Sequence, residues 1–201
     1  MTRVTRPTLS TRLCSLLAGV LLVAAATGAV AGDTLPGDSV YQLELPLTDR
    51  HGATRDWESL RGKPRLVSMF YTSCQYICPL IVDSGKAVER ALTPAQRDRL
   101  GIVLISMDPA RDDPAALARV VARRGLDTRR WLLASPPEGD VRAAAGVLGI
   151  RYRELADGEF NHTSALVLVD ADGRILARTE QMGPIPDPEF LAAVRKAADG
   201  T

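Results

Sequence analysis

Apolar residues in this chain follow two periods. Short β-prone runs bounded by turn residues occur at Leu66–Tyr71, Gly101–Met107 and Trp131–Ala134, while helical spacing marks Pro79–Leu92, Pro114 towards Arg124, and Val141–Leu148. The near-continuous run Gly101–Met107 reads as a strand buried on both faces of a parallel sheet. Val40–Thr48 suggests a further strand, closed by the polar turn Asp49-Arg-His-Gly52. Thr93 before Pro94, and Asp113 before Pro114, are suited to cap helices. Towards the C-terminus, Ser164–Asp170 and Arg174–Thr179 flank the turn residues Asp172-Gly173 as a β-hairpin, and Pro188–Ala198 reads as a closing helix. Helices alternating with short strands predict an α/β fold, and the absence of repeats or composition breaks predicts a single folded domain.

The N-terminus differs from the rest. Arg3, Arg6 and Arg12 precede an uncharged stretch of 20 residues, Leu13–Gly32, which closes with Ala29-Val-Ala31 ahead of Asp33. Residues 1–32 are read as an export segment, either cleaved after Ala31 as a signal peptide or retained as a membrane anchor, since 20 apolar residues can span a bilayer. The arginine in Ser10-Thr-Arg-Leu-Cys14 does not fit a lipoprotein box. Residues 33–39 read as a linker and 40–201 as the functional domain. The chain has 25 basic and 24 acidic residues, and its first 32 residues hold three arginines and no acid, leaving 22 bases against 24 acids. A net charge of −2 for that remainder gives no electrostatic case for nucleic acid.

Of three cysteines, only Cys74 and Cys78 fall in the domain, which excludes a multi-disulfide framework. They lie between the end of one predicted strand and the start of a helix, where unpaired N–H groups and the helix dipole favour thiolates. Pro79 is tolerated there because early helical N–H groups have no intrahelical partner. A disulfide closing so short a loop would remove little chain entropy, so the pair reads as functional rather than as a staple. Its spacing alone does not choose between redox chemistry and metal binding. His162, just before the hairpin, completes an S₂N set that suits copper, whereas the remaining cysteines and histidines are too few for an ordinary structural zinc site. His51, the other histidine, reads as a solvated turn residue, and Met69 and Met107 as core.

Three segments together resemble the SCO/SenC family of copper-binding assembly proteins: Phe70-Tyr-Thr-Ser-Cys-Gln-Tyr-Ile-Cys-Pro79, Ser106-Met-Asp-Pro-Ala-Arg-Asp-Asp-Pro114, and Asn161-His-Thr-Ser-Ala-Leu-Val-Leu-Val-Asp-Ala-Asp-Gly-Arg174. The resemblance implies a thioredoxin-like fold, with a central mixed sheet flanked by helices and a C-terminal hairpin and helix. It implies a copper ion held by Cys74, Cys78 and His162. It also implies a role in building the copper centre of cytochrome c oxidase, acting on the copper-bearing subunit or another periplasmic copper or thiol protein. Gln75 stands where the family often has proline, and Gln181–Asp187 departs from better-known members. Asp108 and Arg111 match the family loop and read as loop closure and helix capping.

Two functions share these residues. One is a non-enzymatic copper chaperone on the periplasmic side of the cytoplasmic membrane. The other is a periplasmic thiol–disulfide oxidoreductase, in which one cysteine attacks a partner disulfide and the second resolves it. His162 separates them, because imidazole can ligate copper but is not required for exchange between two cysteines. A peroxidase fits less well, because Tyr71-Thr-Ser-Cys74 lacks the proline and threonine arrangement of peroxiredoxins.

Overall fold

Ser39 opens the fold by accepting the Tyr41 amide on its hydroxyl at 3.1 Å, which winds Val40–Gln42 into a 3-10 turn. The computed structural model describes residues 1–2, 34–74 and 77–200; the export segment, Cys14 and Gln75 lie outside the described residues. The strand expected over Val40–Thr48 is formed only in its last part, as β1, Pro46–Asp49. Val40 and Tyr41 are both buried, which a strand with one solvated face cannot achieve at successive positions. Trp57 Nε1 donates to Val40 O at 2.9 Å, and the Tyr41 and Trp57 rings meet edge to face at 5.6 Å. Those contacts hold the turn inward.

After the Asp49–Gly52 turn come β2 (Thr54–Asp56) and β3 (Arg65–Phe70). Helix α1 (Ile77–Ala91) begins two residues before Pro79, still leaving the proline in the first turn, where no N–H partner is required. Thr93 and Gln96 form a reciprocal capping box at α2 (Pro94–Arg99). Strand β4 (Gly101–Ser106) is buried at every position, and Asp113 caps α3 (Pro114–Arg124) by accepting the Ala116 amide at 2.6 Å. Then follow β5 (Trp131–Ser135), α4 (Val141–Val147), β6 (Tyr152–Glu154), β7 (Phe160–His162), β8 (Leu166–Val169), β9 (Ile175–Thr179) and α5 (Pro188–Asp199).

The main sheet has seven strands in the order β2-β1-β5-β4-β3-β8-β9, while β6 and β7 pair separately. It is mixed: β3, β4 and β5 run parallel, and β8 lies antiparallel to β3. Helix α1 packs on β3, α3 on β5 and β1, and α5 on β9, so helices flank the sheet as expected. Met69 and Met107 are core residues, and His51 is an exposed turn residue. At the β8–β9 turn Gly173 has φ +87°, and a Cβ there would lie 2.5 Å from Ser39 Oγ, so this position requires glycine. No helix among the described residues is long and apolar enough to cross a membrane.

One helix glycine is fixed by packing instead. A Cβ at Gly85, inside α1, would lie 2.6 Å from the Trp131 ring, which is itself buried and tied through Nε1 to Glu89 Oε2 at 2.8 Å. Alanine in a helix ordinarily gains up to ~1 kcal/mol over glycine, but overpacking a core that cannot yield costs ~1–3 kcal/mol. Gly85→Ala is therefore expected to destabilise the fold by about 1–2 kcal/mol in urea titration; a rise in stability would show that Trp131 can move.

Candidate metal centre

The topology brings the expected ligands to one end of the sheet. The cysteine loop leaves the C-terminal end of β3, and β8, being antiparallel to β3, enters the sheet from that same end four residues after His162. Residue 74 lies in the loop and residue 78 in the first turn of α1. Cys78 N donates to Cys74 Sγ at 3.3 Å, so a helix N-terminal amide faces the first sulfur and favours negative charge on it. Cys78 is 5% exposed and Cys74 half-buried, and the two are not bridged. The Cys78 thiol is pushed far up, first by its hydrogen bond to Cys74 and then by burial.

Asp112 fixes the loop from beneath. Its buried carboxyl accepts Thr72 N at 3.0 Å, Thr72 Oγ1 at 2.6 Å and Ser106 Oγ at 2.5 Å. Burial raises its pKa, opposed by those hydrogen bonds. Neighbouring Asp108 pairs with Arg111, which also donates to the Gly158 carbonyl. Arg111 thus closes its own loop, as expected, and reaches the β6–β7 hairpin as well. Met182, half-buried, accepts a contact from Ser84 Oγ at 3.7 Å.

His162 ends β7, a short strand outside the two strands of the C-terminal hairpin. Burial lowers its pKa and keeps the imidazole neutral, opposed by the Thr163 carbonyl and by Cys74. Nδ1 lies 3.2 Å from Thr163 O, and a carbonyl only accepts, so Nδ1 carries the proton and Nε2 presents a lone pair. Nε2 is buried and has no hydrogen-bond partner among the described residues. An orphaned acceptor of this kind, with a neutral ring and a fixed tautomer, fits a soft-metal ligand. The Tyr71 ring stands beside it at 6.0 Å, edge to face, and the Tyr71 hydroxyl interacts with the Cys74 side chain. Among the described residues, no three His, Cys, Asp or Glu side chains are gathered closely enough to hold a metal ion, so His162 and the two sulfurs share an end of the sheet without forming a closed set. Metal sites commonly complete themselves on binding, through small loop movements. The cleft beside the cysteines measures about 50 Å³, far below the roughly 300–1,000 Å³ of organic-ligand sites.

This is a thioredoxin-like protein with a Cys-x-x-x-Cys pair and a neutral histidine at one end of its sheet. The sequence model of the SCO1/SenC family matches residues 35–199, and the chain belongs to that family. It is 24% identical over 175 residues, 85% of this chain and 90% of the other, to a SCO1 protein homolog of Bacillus subtilis. Among solved structures it resembles ScoI of Bradyrhizobium japonicum with copper bound, at TM-score 0.64 and 26% identity over 77% of this chain and 98% of that one. It also resembles BsSco, described as having a disulfide switch and as a member of the Sco family of cytochrome c oxidase assembly proteins, at TM-score 0.65 and 21% identity over 78% and 92% of the two chains.

Proposed function

We propose that this protein is a copper chaperone that carries the ion on Cys74, Cys78 and His162 and passes it by ligand exchange to a partner's thiolates. The recipient is the copper-bearing subunit of cytochrome c oxidase or another periplasmic copper or thiol protein. The observation that supports this most is His162 Nε2, a buried lone pair without a partner among the described residues, on a ring that feels the charge of Cys74. The copper-bound relative ScoI adds to it. In this reading residues 1–32 export the chain, and the domain works on the periplasmic side of the membrane, anchored or released. Few ligands and a shallow cleft suit an ion that must leave again.

The thiol–disulfide reading is favoured by one feature, the helix N-terminal amide on Cys74 Sγ, which is also how a nucleophilic thiolate is prepared. His162→Ala distinguishes the two. Loss of second-shell partners already costs ~10–100-fold in metal affinity, and a ligand should cost more. The variant is expected to bind copper at least about a hundredfold more weakly in anaerobic titration, while exchanging thiols with a disulfide substrate at the wild-type rate. Unchanged affinity and spectrum, together with rapid reduction of protein disulfides by the wild type, would make the pair a redox enzyme's.

A further inference from the structure

The hairpin that carries His162 pairs with no strand of the main sheet, so its position relative to the cysteines must be fixed by something else. Its two strands are three residues each, and a two-stranded ribbon on its own is marginal in water. The tie comes from Tyr71, the residue that follows β3. Tyr71 Oη donates to Glu159 Oε2 at 2.8 Å and accepts Phe160 N at 3.4 Å. The same ring meets Phe160 edge to face at 5.1 Å and His162 at 6.0 Å, and it is 3% exposed. One side chain therefore touches the cysteine loop, the hairpin tip and the imidazole.

We propose that Tyr71 and Glu159 are positioning residues for the metal site: their hydrogen bond holds the hairpin at the place from which His162 and the two sulfurs can close on one ion. This rests on the S₂N reading above. With the tie intact, closing needs only local adjustment of side chains and loop. Without it, the hairpin tip must be ordered at the moment of binding, and that ordering is subtracted from affinity. Arg111 makes a second tie at Gly158 O, but from an exposed side chain that does not touch the imidazole. The Tyr71 bond is the one made beside the ligand.

Tyr71→Phe keeps the ring and removes only Oη, Glu159→Ala removes the acceptor, and Glu159→Gln retains an acceptor oxygen. In the reduced, copper-free protein, deuterium exchange at the hairpin amides should be about tenfold faster in Tyr71→Phe and Glu159→Ala than in wild type and in Glu159→Gln. Competition for copper(I) with a chromophoric chelator should show release about tenfold faster in the same two variants, with the double variant no worse than either alone. Unchanged hairpin exchange overturns the proposal. So does faster exchange with unchanged copper release, or additive losses in the double variant. The exchange measurement uses no metal, so it reads the tie separately from the ligand set, which His162→Ala tests on its own.

Discussion

Cys74→Ser and Cys78→Ser should each abolish useful copper binding, lowering affinity by about a thousandfold or more, ~4 kcal/mol. Removing one soft sulfur leaves at most one thiolate and one imidazole, and a serine hydroxyl at neutral pH is neither charged nor soft. The two variants should differ in the protein's own stability. Cys74 is half-buried and accepts the Cys78 amide, a bond that a serine oxygen can also accept. Cys78 is buried, so its replacement places a more polar group where the partners at hand among the described residues are Cys74 and the Tyr71 backbone. Oxidation should mimic the double loss: forming the disulfide removes two electrons and two protons from the thiols, and neither sulfur then ligates as a thiolate. Copper capture is expected to vanish on oxidation and return on reduction, read by titration of both forms. Retention by the oxidised protein would move the site away from this pair.

Asp112→Ala is expected to destabilise the fold by about 3 kcal/mol. One buried carboxyl satisfies the Thr72 amide, the Thr72 hydroxyl and the Ser106 hydroxyl, at 2.5–3.0 Å. Each buried donor left without a partner costs ~1–3 kcal/mol, and the hydroxyls can partly reorient while the amide cannot. Thr72 lies two residues before Cys74, so the loss should also loosen the cysteine loop and weaken copper binding beyond the stability change. Denaturant unfolding read beside copper titration separates the two effects. A stability change under 1 kcal/mol would mean that water takes the carboxyl's place.

Much of this arrangement was legible in the sequence because it is local. The apolar runs of β3, β4 and β8 have too little polar surface to be anything but interior strands. Thr93 with Gln96 and Asp113 with Pro114 cap helices by contacts only three residues away. The Cys-x-x-x-Cys pair announced itself by standing where a strand ends and a helix begins. What escaped the reading is set by distant contacts. The β6–β7 hairpin has two three-residue strands that are mostly solvated, too short to show a period, and its tie to Tyr71 spans 88 residues of chain. Asp112 carries no signal of its own in the sequence, because only the fold brings Thr72 and Ser106 against it. Val40–Gln42 looked like a strand because its inward turn depends on Trp57, 17 residues away from Val40.

Whether His162 joins the two sulfurs on copper can be read by pulsed electron paramagnetic resonance of the reduced protein loaded with copper(II). The chain has only two histidines, so ¹⁵N-histidine labelling leaves two candidates, and His51 lies in an exposed turn. Coupling to a single imidazole is expected, kept in His51→Gln and lost in His162→Ala. Coupling that survives His162→Ala, or is absent from the wild type, would remove His162 from the copper site.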